Sequence, residues 1–158
     1  MSRTQLAENV CTVARAIELF GDAWTLMILR EMFLGGRRFD DLQRLTGASP
    51  HTLSQRLKRL ERVGVLRRET YSERPPRHEY RLTEMGRGLW PVIVSMKAWG
   101  DKWFHHEPAP VEIVHKSCGH TVMPEMVCPE CHEPMQATDA APRLSSEFEQ
   151  ERARARGQ

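Results

Sequence analysis

Apolar positions recur first at helical spacing. Val10, Val13, Ile17 and Phe20 lie three or four residues apart and stop at Gly21, which predicts an amphipathic helix over residues 8–20. Trp24 to Leu34 predicts a second helix, and because TLMILREMF is apolar on most sides, its place is the buried centre of the fold. Gly35 and Gly36 end it. A short third helix fits Asp40 to Thr46, with Asp40 as side-chain cap and Gly47 as left-handed terminator. Ser49 and Pro50 open a fourth, since serine caps the free N–H groups and proline suits the first helical position. Leu53, Leu57 and Leu60 form its apolar stripe, and Gly64 closes it.

From Val65 to Thr83 the pattern changes to extended structure. VLRRETY and HEYRL flank SERPPR, whose prolines and charges suit a turn, so a hairpin with a basic tip is predicted. Thr83 then caps a long last helix in which Met85, Leu89, Val92, Ile93, Met96, Trp99 and Trp103 keep spacings of three and four. Proline ends the pattern after Glu107, and short strands around Val111–Val114 and Thr121–Met126 form a small appendage. From about Thr138 the chain is polar and poor in large apolar residues, which predicts a mobile or frayed helical tail. The fold class is therefore mainly α with a small β-hairpin (α+β): a winged helix-turn-helix over residues 8–106, a β appendage over 107–137 and a tail over 138–158.

The order of elements already points to a partner. With the leucines of the fourth helix turned inward, Thr52, Gln55, Arg56, Arg59 and Arg62 face solvent or its flanks, offering donors and acceptors for base edges and phosphates. His51, Thr52 and Gln55 lie nearest the end that enters the major groove and, with Arg56, are the expected base contacts. Lys58, Arg59 and Arg62 are placed for phosphate, and Arg74 and Arg77 at the hairpin tip for the backbone or the minor groove. Arg38, ahead of the third helix, joins this DNA-binding set. Charge supports the assignment: Arg37 to Arg81 holds 12 Lys/Arg against 6 Asp/Glu, whereas beyond His106 the balance is 5 against 9. Such a basic block is either an electrostatic footprint on a polyanion or a solvated, salt-bridged surface.

Three runs in register carry a family resemblance. GDAWTLMILREMFLGGRRFDDL, LSQRLKRLERVGVLRR and RHEYRLTEMGRGLWPV make residues 10–104 resemble the HxlR-type family of winged-helix transcription regulators. The resemblance implies a homodimer, built largely from the first and last helices, that binds a pseudo-palindromic operator and is often a repressor. Independently, Trp90, Trp99, Trp103 and Phe104 are more aromatic surface than one helix needs to cover a small domain. Together with Val13 and Ile17 they are the expected dimer contacts; filling the core is the alternative.

Members of the family commonly carry a cysteine near the first helix, in some as a sensor of oxidants or electrophiles, and Cys11 holds that place here. The family often has Cys-Pro, whereas this chain has Cys11-Thr12. Arg15, one turn on, favours a thiolate only where the cysteine is accessible; otherwise Cys11 is a small buried hydrophobe at the dimer contact. A second group is His115-Lys116-Ser117-Cys118 and, farther on, Cys128-Pro129-Glu130-Cys131. The two pairs resemble the knuckles of a zinc ribbon, and one nitrogen with three sulfurs suits one structural tetrahedral Zn²⁺. His120 and His132 compete as ligands, and a ribbon without metal or a Cys128–Cys131 disulfide are the other readings.

The remaining features limit the class. A chain of 158 residues carries one dominant core with a small appendage, and 40% hydrophobic with 28% charged residues is a globular balance. No apolar stretch approaches the roughly 20 residues of a membrane helix. The start, MSRTQLAENV, lacks the layout of a signal peptide, which places the protein in the cytoplasm. An enzyme is not expected, because the chain has no glycine-rich phosphate loop, Gly-x-Ser-x-Gly elbow or His-Glu-x-x-His pair. A protein-interaction module on a winged-helix scaffold is the rival class. Effectors, whether small molecule or oxidant, stay open.

Overall fold

The computed structural model describes residues 9–104 and 108–157. They part into two compact units: Leu19–Lys97, and a second made by residues up to Glu18 together with those from Ala98 onward. In chain order the elements are α1 (Thr12–Phe20), α2 (Ala23–Phe33), α3 (Phe39–Thr46), α4 (Pro50–Arg62), β1 (Leu66–Glu73), β2 (Pro76–Leu82), α5 (Glu84–Arg87), α6 (Trp90–Phe104) and α7 (Ser146–Ala155). Helices with one antiparallel hairpin are thus the observed class.

Local chemistry explains most helix ends. The Asp22 carboxylate accepts from the Thr25 N–H at 3.1 Å and starts α2. The Ser49 hydroxyl accepts from the Thr52 N–H at 3.2 Å with Pro50 at the first position, and Gly47 takes φ 71° to end α3, as expected. Two starts differ. Among the described residues the first helix begins at Thr12, after the Asn9 side chain accepts the Cys11 N–H at 2.8 Å; the expected start at residue 8 lies outside the described residues. The third begins at Phe39, so Asp40 is not its cap; with Asp41 it sits in the first turn, where a carboxylate complements the positive end of the helix dipole.

The unit Leu19–Lys97 has a single core. Ile28, Leu29 and Met32 of α2 pack with Leu42 of α3, Ala48, the α4 leucines Leu53, Leu57 and Leu60, and Val65 and Leu66 at the start of the hairpin. Leu19, Phe20, Tyr80, Leu82, Leu89 and Ile93 close it from the sides. The second helix is therefore the buried centre, and the α4 stripe lies on it.

The hairpin is tighter than its prolines suggested. Its ladder runs to Glu73 opposite Pro76, leaving only Arg74 and Pro75 at the tip, with a cis bond between them. Pro76 is tolerated because it is the first residue of its strand. A bulge at Tyr71 shifts the register between Thr70 and Ser72.

The long last helix of the sequence pattern is two helices. The Thr83 hydroxyl accepts from the Gly86 N–H to cap α5 and donates to the Gly64 carbonyl at 2.6 Å, while the Thr83 N–H reaches the Val65 carbonyl at 3.1 Å. This closure brings α5 so near β1 that a Cβ on Gly86 would stand 2.3 Å from the Val65 oxygen. The chain re-enters helix only at Trp90, because Pro91 has no N–H for the preceding turn.

In the second unit, the tail contains the capped helix α7. The Ser145 hydroxyl accepts from the Phe148 N–H, and Asn9 Nδ2 donates to Glu151 Oε1 at 2.6 Å. The expected strands of the appendage shrink to two isolated antiparallel bridges, Val114 with Thr121 and Val127 with Pro134. Tight loops between the bridged residues, and prolines at 124, 129 and 134, leave no room for a ladder. Among the described residues no helix is long and apolar enough to cross a membrane.

Candidate nucleic-acid interface

Burying Leu53, Leu57 and Leu60 decides what α4 presents to solvent. His51 and Gln55, one turn apart, are exposed, and Gln55 Nε2 lies 2.9 Å from His51 Nε2. Two planar polar groups held side by side near a helix N-terminus match the donor and acceptor pattern of base edges. Thr52 is half-buried, with its hydroxyl accepting from the Ser49 hydroxyl at 2.9 Å. Farther along, Lys58 and Arg62 are exposed and Arg59 is half-buried.

Arg56 departs from the expected base-reading role. Its Nε donates to Asp22 Oδ1 at 2.9 Å, and both side chains are only 21% exposed. Asp22 also accepts from the Thr25 hydroxyl at 2.7 Å. Burial pushes the Asp22 carboxyl up, but the Thr25 hydroxyl and N–H and the Arg56 guanidinium outweigh it, so the group sits below its ordinary value. Arg56 therefore holds α4 against the start of α2, which aims the exposed face of α4.

The hairpin is tied to the helical part of this unit. The Tyr80 N–H donates to the Arg37 carbonyl at 2.8 Å, and the Arg38 guanidinium stacks 4.6 Å from the centre of the Tyr71 ring that the bulge pushes out. Arg68 faces Glu61 of α4 at 3.8 Å. Burial raises the Tyr80 hydroxyl above its ordinary range, with Arg68 opposing and Glu61 adding to the effect. Part of the basic block is neutralised internally, since Arg67 and Arg81 pair with Glu69 and Arg81 with Glu79. Lys58, Arg62, Arg74 and Arg77 make no ion pair among the described residues, so their charge is directed to solvent. The structure thus brings together His51, Gln55, Lys58 and Arg62 on one helix and Arg74 and Arg77 on the adjoining hairpin.

The other predicted residues lie elsewhere. Val13, Ile17, Trp90, Trp99, Trp103 and Phe104 are all exposed, Trp103 at 62% and Phe104 at 67%, so they do not fill the core of this chain. Trp99 and Phe104 meet edge to face at 5.1 Å, and the Lys102 ammonium lies 5.1 Å from the Trp103 ring centre. Cys11 is half-buried just before α1 and is a free thiol. His115 Nδ1 lies 3.2 Å from Cys118 Sγ, and the backbone N–H groups of Cys131 and Glu130 donate to Cys128, lowering its thiol below the ordinary range. Among the described residues no three His, Cys, Asp or Glu side chains converge as a metal cage.

Sequence reasoning missed Asp22 and Tyr71. The Asp22-x-x-Thr25 spacing advertises a helix cap, but its link to a residue 34 positions away has no local signal. Tyr71 alternates with the strand pattern, and only the bulge turns it toward Arg38.

Comparisons agree with this geometry. The pattern of the HxlR-like helix-turn-helix family matches residues 19–108. A protein of Mycobacterium tuberculosis, named as an uncharacterized HTH-type transcriptional regulator, is 46% identical over 132 residues, covering 83% of this chain and 84% of its own. The crystal structure of PA1607, titled as a candidate transcription factor, superposes with TM-score 0.76 at 31% identity, over 89% of this chain and 97% of that one. The redox regulator HypR in its oxidized form gives TM-score 0.55 at 34% identity over 58% of this chain and 96% of its own. A helix-turn-helix with an apolar-backed polar recognition face, a hairpin wing and relatives that are transcription regulators together make the chain a member of the HxlR-like helix-turn-helix family, a DNA-binding transcriptional regulator.

Proposed function

We propose that this regulator is a cytoplasmic, sequence-specific repressor that binds a two-fold operator in double-stranded DNA as a homodimer, with α4 in the major groove and the β1–β2 hairpin as wing. One observation carries the docking: the face of α4 opposite its buried leucines bears His51 and Gln55 near the N-terminus and Lys58 and Arg62 beyond, and the hairpin that follows carries Arg74 at its tip and Arg77 in β2. Base reading falls to His51 and Gln55, and phosphate contact to Lys58, Arg62 and the hairpin arginines. The homodimer rests on the exposed apolar residues of α1 and α6, which a second copy would cover. Repression rests on the family's habit and on the simple consequence that a dimer seated on a promoter excludes polymerase.

Fluorescence-anisotropy titration against promoter fragments, including the DNA upstream of its own coding region, at two salt concentrations tests this. Tight binding to a few fragments, two chains per site and a steep salt slope are expected. Replacing His51 and Gln55 together by alanine should cost about 10- to 100-fold in affinity and relax sequence preference, following the roughly 1–3 kcal/mol of a good base contact. Arg74→Ala should weaken all sequences alike and reduce the salt slope by about 1. Unchanged titrations in every variant, or one chain per site, would overturn the docking or the dimer.

A second reading, a redox-responsive regulator, is favoured by the free Cys11 at the edge of α1 and the similarity to HypR. Mild oxidation should then release DNA from the wild type and not from Cys11→Ser. Equal release from both excludes Cys11 as the sensor.

A further inference from the structure

The appendage contains the same backbone loop twice. In the first copy the His115 N–H donates to the His120 carbonyl at 2.9 Å, the Gly119 N–H to the His115 carbonyl at 2.7 Å, and the Val122 N–H to the Ile113 carbonyl at 2.8 Å. In the second, the Cys128 N–H donates to the Glu133 carbonyl at 2.9 Å, the His132 N–H to the Cys128 carbonyl at 2.9 Å, and the Met135 N–H to the Met126 carbonyl at 2.8 Å. These three bonds of the first loop have their counterparts at the equivalent positions of the second. The isolated bridges repeat too, Val114 with Thr121 and Val127 with Pro134. So does the left-handed residue after the second member of each pair, Gly119 at φ 73° after Cys118 and His132 at φ 58° after Cys131. For His132 that conformation is uncommon, and a non-glycine residue adopts it where the surrounding loop requires it.

The repeat assigns equivalent places to His115 and Cys128, and to Cys118 and Cys131. Within the first loop the His115 and Cys118 ligand atoms are 3.2 Å apart, close to the roughly 3.5 Å that usual Zn–N and Zn–S bond lengths give two ligands of one tetrahedral ion. In the second, the matching places are held by Cys128 and Cys131. The described part of the appendage, residues 108–137, buries no side chain, and Val114, Val122, Met123, Met126, Val127 and Met135 are all exposed. Two ordered loops without a core need another source of cohesion, which a metal supplies in pieces of this size.

We propose that the appendage is a structural zinc site in which His115, Cys118, Cys128 and Cys131 from the two matching loops close on one tetrahedral Zn²⁺. Binding draws the two half-sites onto the ion and releases the thiol protons. His120 and His132 are not assigned to the ion, because the places that correspond to them in the other loop are held by Glu133 and Gly119 rather than by a matching histidine or cysteine. The site is independent of DNA reading, so its failure would leave the proposed function untouched.

The test uses the full chain, reduced and purified without chelator or nickel resin. Titration with Co²⁺ is expected to give the visible bands of a tetrahedral ion with thiolate charge transfer, to saturate at about one equivalent, and to be erased by Zn²⁺, which binds such sites more tightly. Cys118→Ser and Cys131→Ser should each weaken binding on the order of 10-fold or more, and His115→Ala should shift the bands. His120→Ala and His132→Ala should leave them unchanged. Because these substitutions lie outside Leu19–Lys97, thermal unfolding of that unit serves as the control for folding. Uptake below about a tenth of an equivalent by the reduced chain would overturn the proposal. So would full retention of the spectrum in Cys118→Ser, which would leave only a two-cysteine site, and so would a Cys128–Cys131 disulfide that takes up no metal after reduction.

Discussion

Leu57→Ala is expected to remove about 3 kcal/mol of stability from the Leu19–Lys97 unit, lowering its melting temperature by roughly 10–20 °C. Leu57 is fully buried at the centre of the α4 stripe, in the cluster that also holds Ile28, Leu29, Leu53 and Leu60. Alanine there forfeits the transfer energy of the lost side chain and leaves a cavity that two helices and a hairpin cannot collapse around. The polar face of α4 is presented only because its other face is anchored, so operator affinity should fall with stability although Leu57 never meets DNA. Urea unfolding of wild type and variant measures the loss. Leu45→Ala is the contrast: that leucine is 54% exposed on α3, and its removal should cost less than about 0.5 kcal/mol. Equal losses for both would contradict the packing described here.

Asp22→Ala is expected to cost about 2–3 kcal/mol, combining the loss of a helix cap with the loss of a charged hydrogen bond to a half-buried arginine. Asp22→Asn should cost less, since asparagine still caps α2 but no longer neutralises Arg56. The Asp22 carboxyl is held below its ordinary value near 3.8, so its contribution to stability is fully present above that pH and is lost as the pH falls through the lowered folded value. The urea midpoints of wild type and Asp22→Asn should therefore converge on the acid side of about pH 4 and stay apart at neutral pH. The same pair tests the role of Arg56. If Arg56 only positions α4, Arg56→Ala and Asp22→Ala weaken DNA binding by similar factors, and the double variant loses little more than either. A larger loss for Arg56→Ala alone would return that residue to the DNA contacts.

Much of the fold was legible in short stretches. Ser49-Pro50, Gly47, Gly64 and Thr83 mark element ends through bonds and dihedrals made within a few residues, and the Leu53, Leu57, Leu60 spacing says which side of α4 is buried. The family match over residues 19–108 falls on the same runs. Where sequence reasoning missed, the deciding contact was non-local or the competing signal lay close by. Asp40 looked like a cap, yet the helix opens one residue earlier with Arg38 extended ahead of it. The last helix looked continuous because its apolar spacing is, whereas Pro91 and the packing of Gly86 on Val65 divide it. The polar tail, expected to be mobile or a frayed helix, contains the capped helix α7, with Asn9 reaching Glu151.

The candidate interface divides in the same way. By itself the sequence determined that a leucine-backed helix with polar and basic residues precedes a hairpin with a basic turn, because helical period and turn chemistry act over one or two turns of chain; the structure keeps Arg74 at the tip and places Arg77 in the β2 ladder. The sequence also determined the paired spacing of His115, Cys118, Cys128 and Cys131. Only the tertiary structure decided that Arg56 is tied to Asp22, that Tyr71 is the platform for Arg38, and that the aromatic residues of α6 are left exposed. Those outcomes depend on which surfaces meet when α2, α3, α4 and the hairpin close around one core, and a contact between residues far apart in the chain leaves no period in the sequence from which to read it.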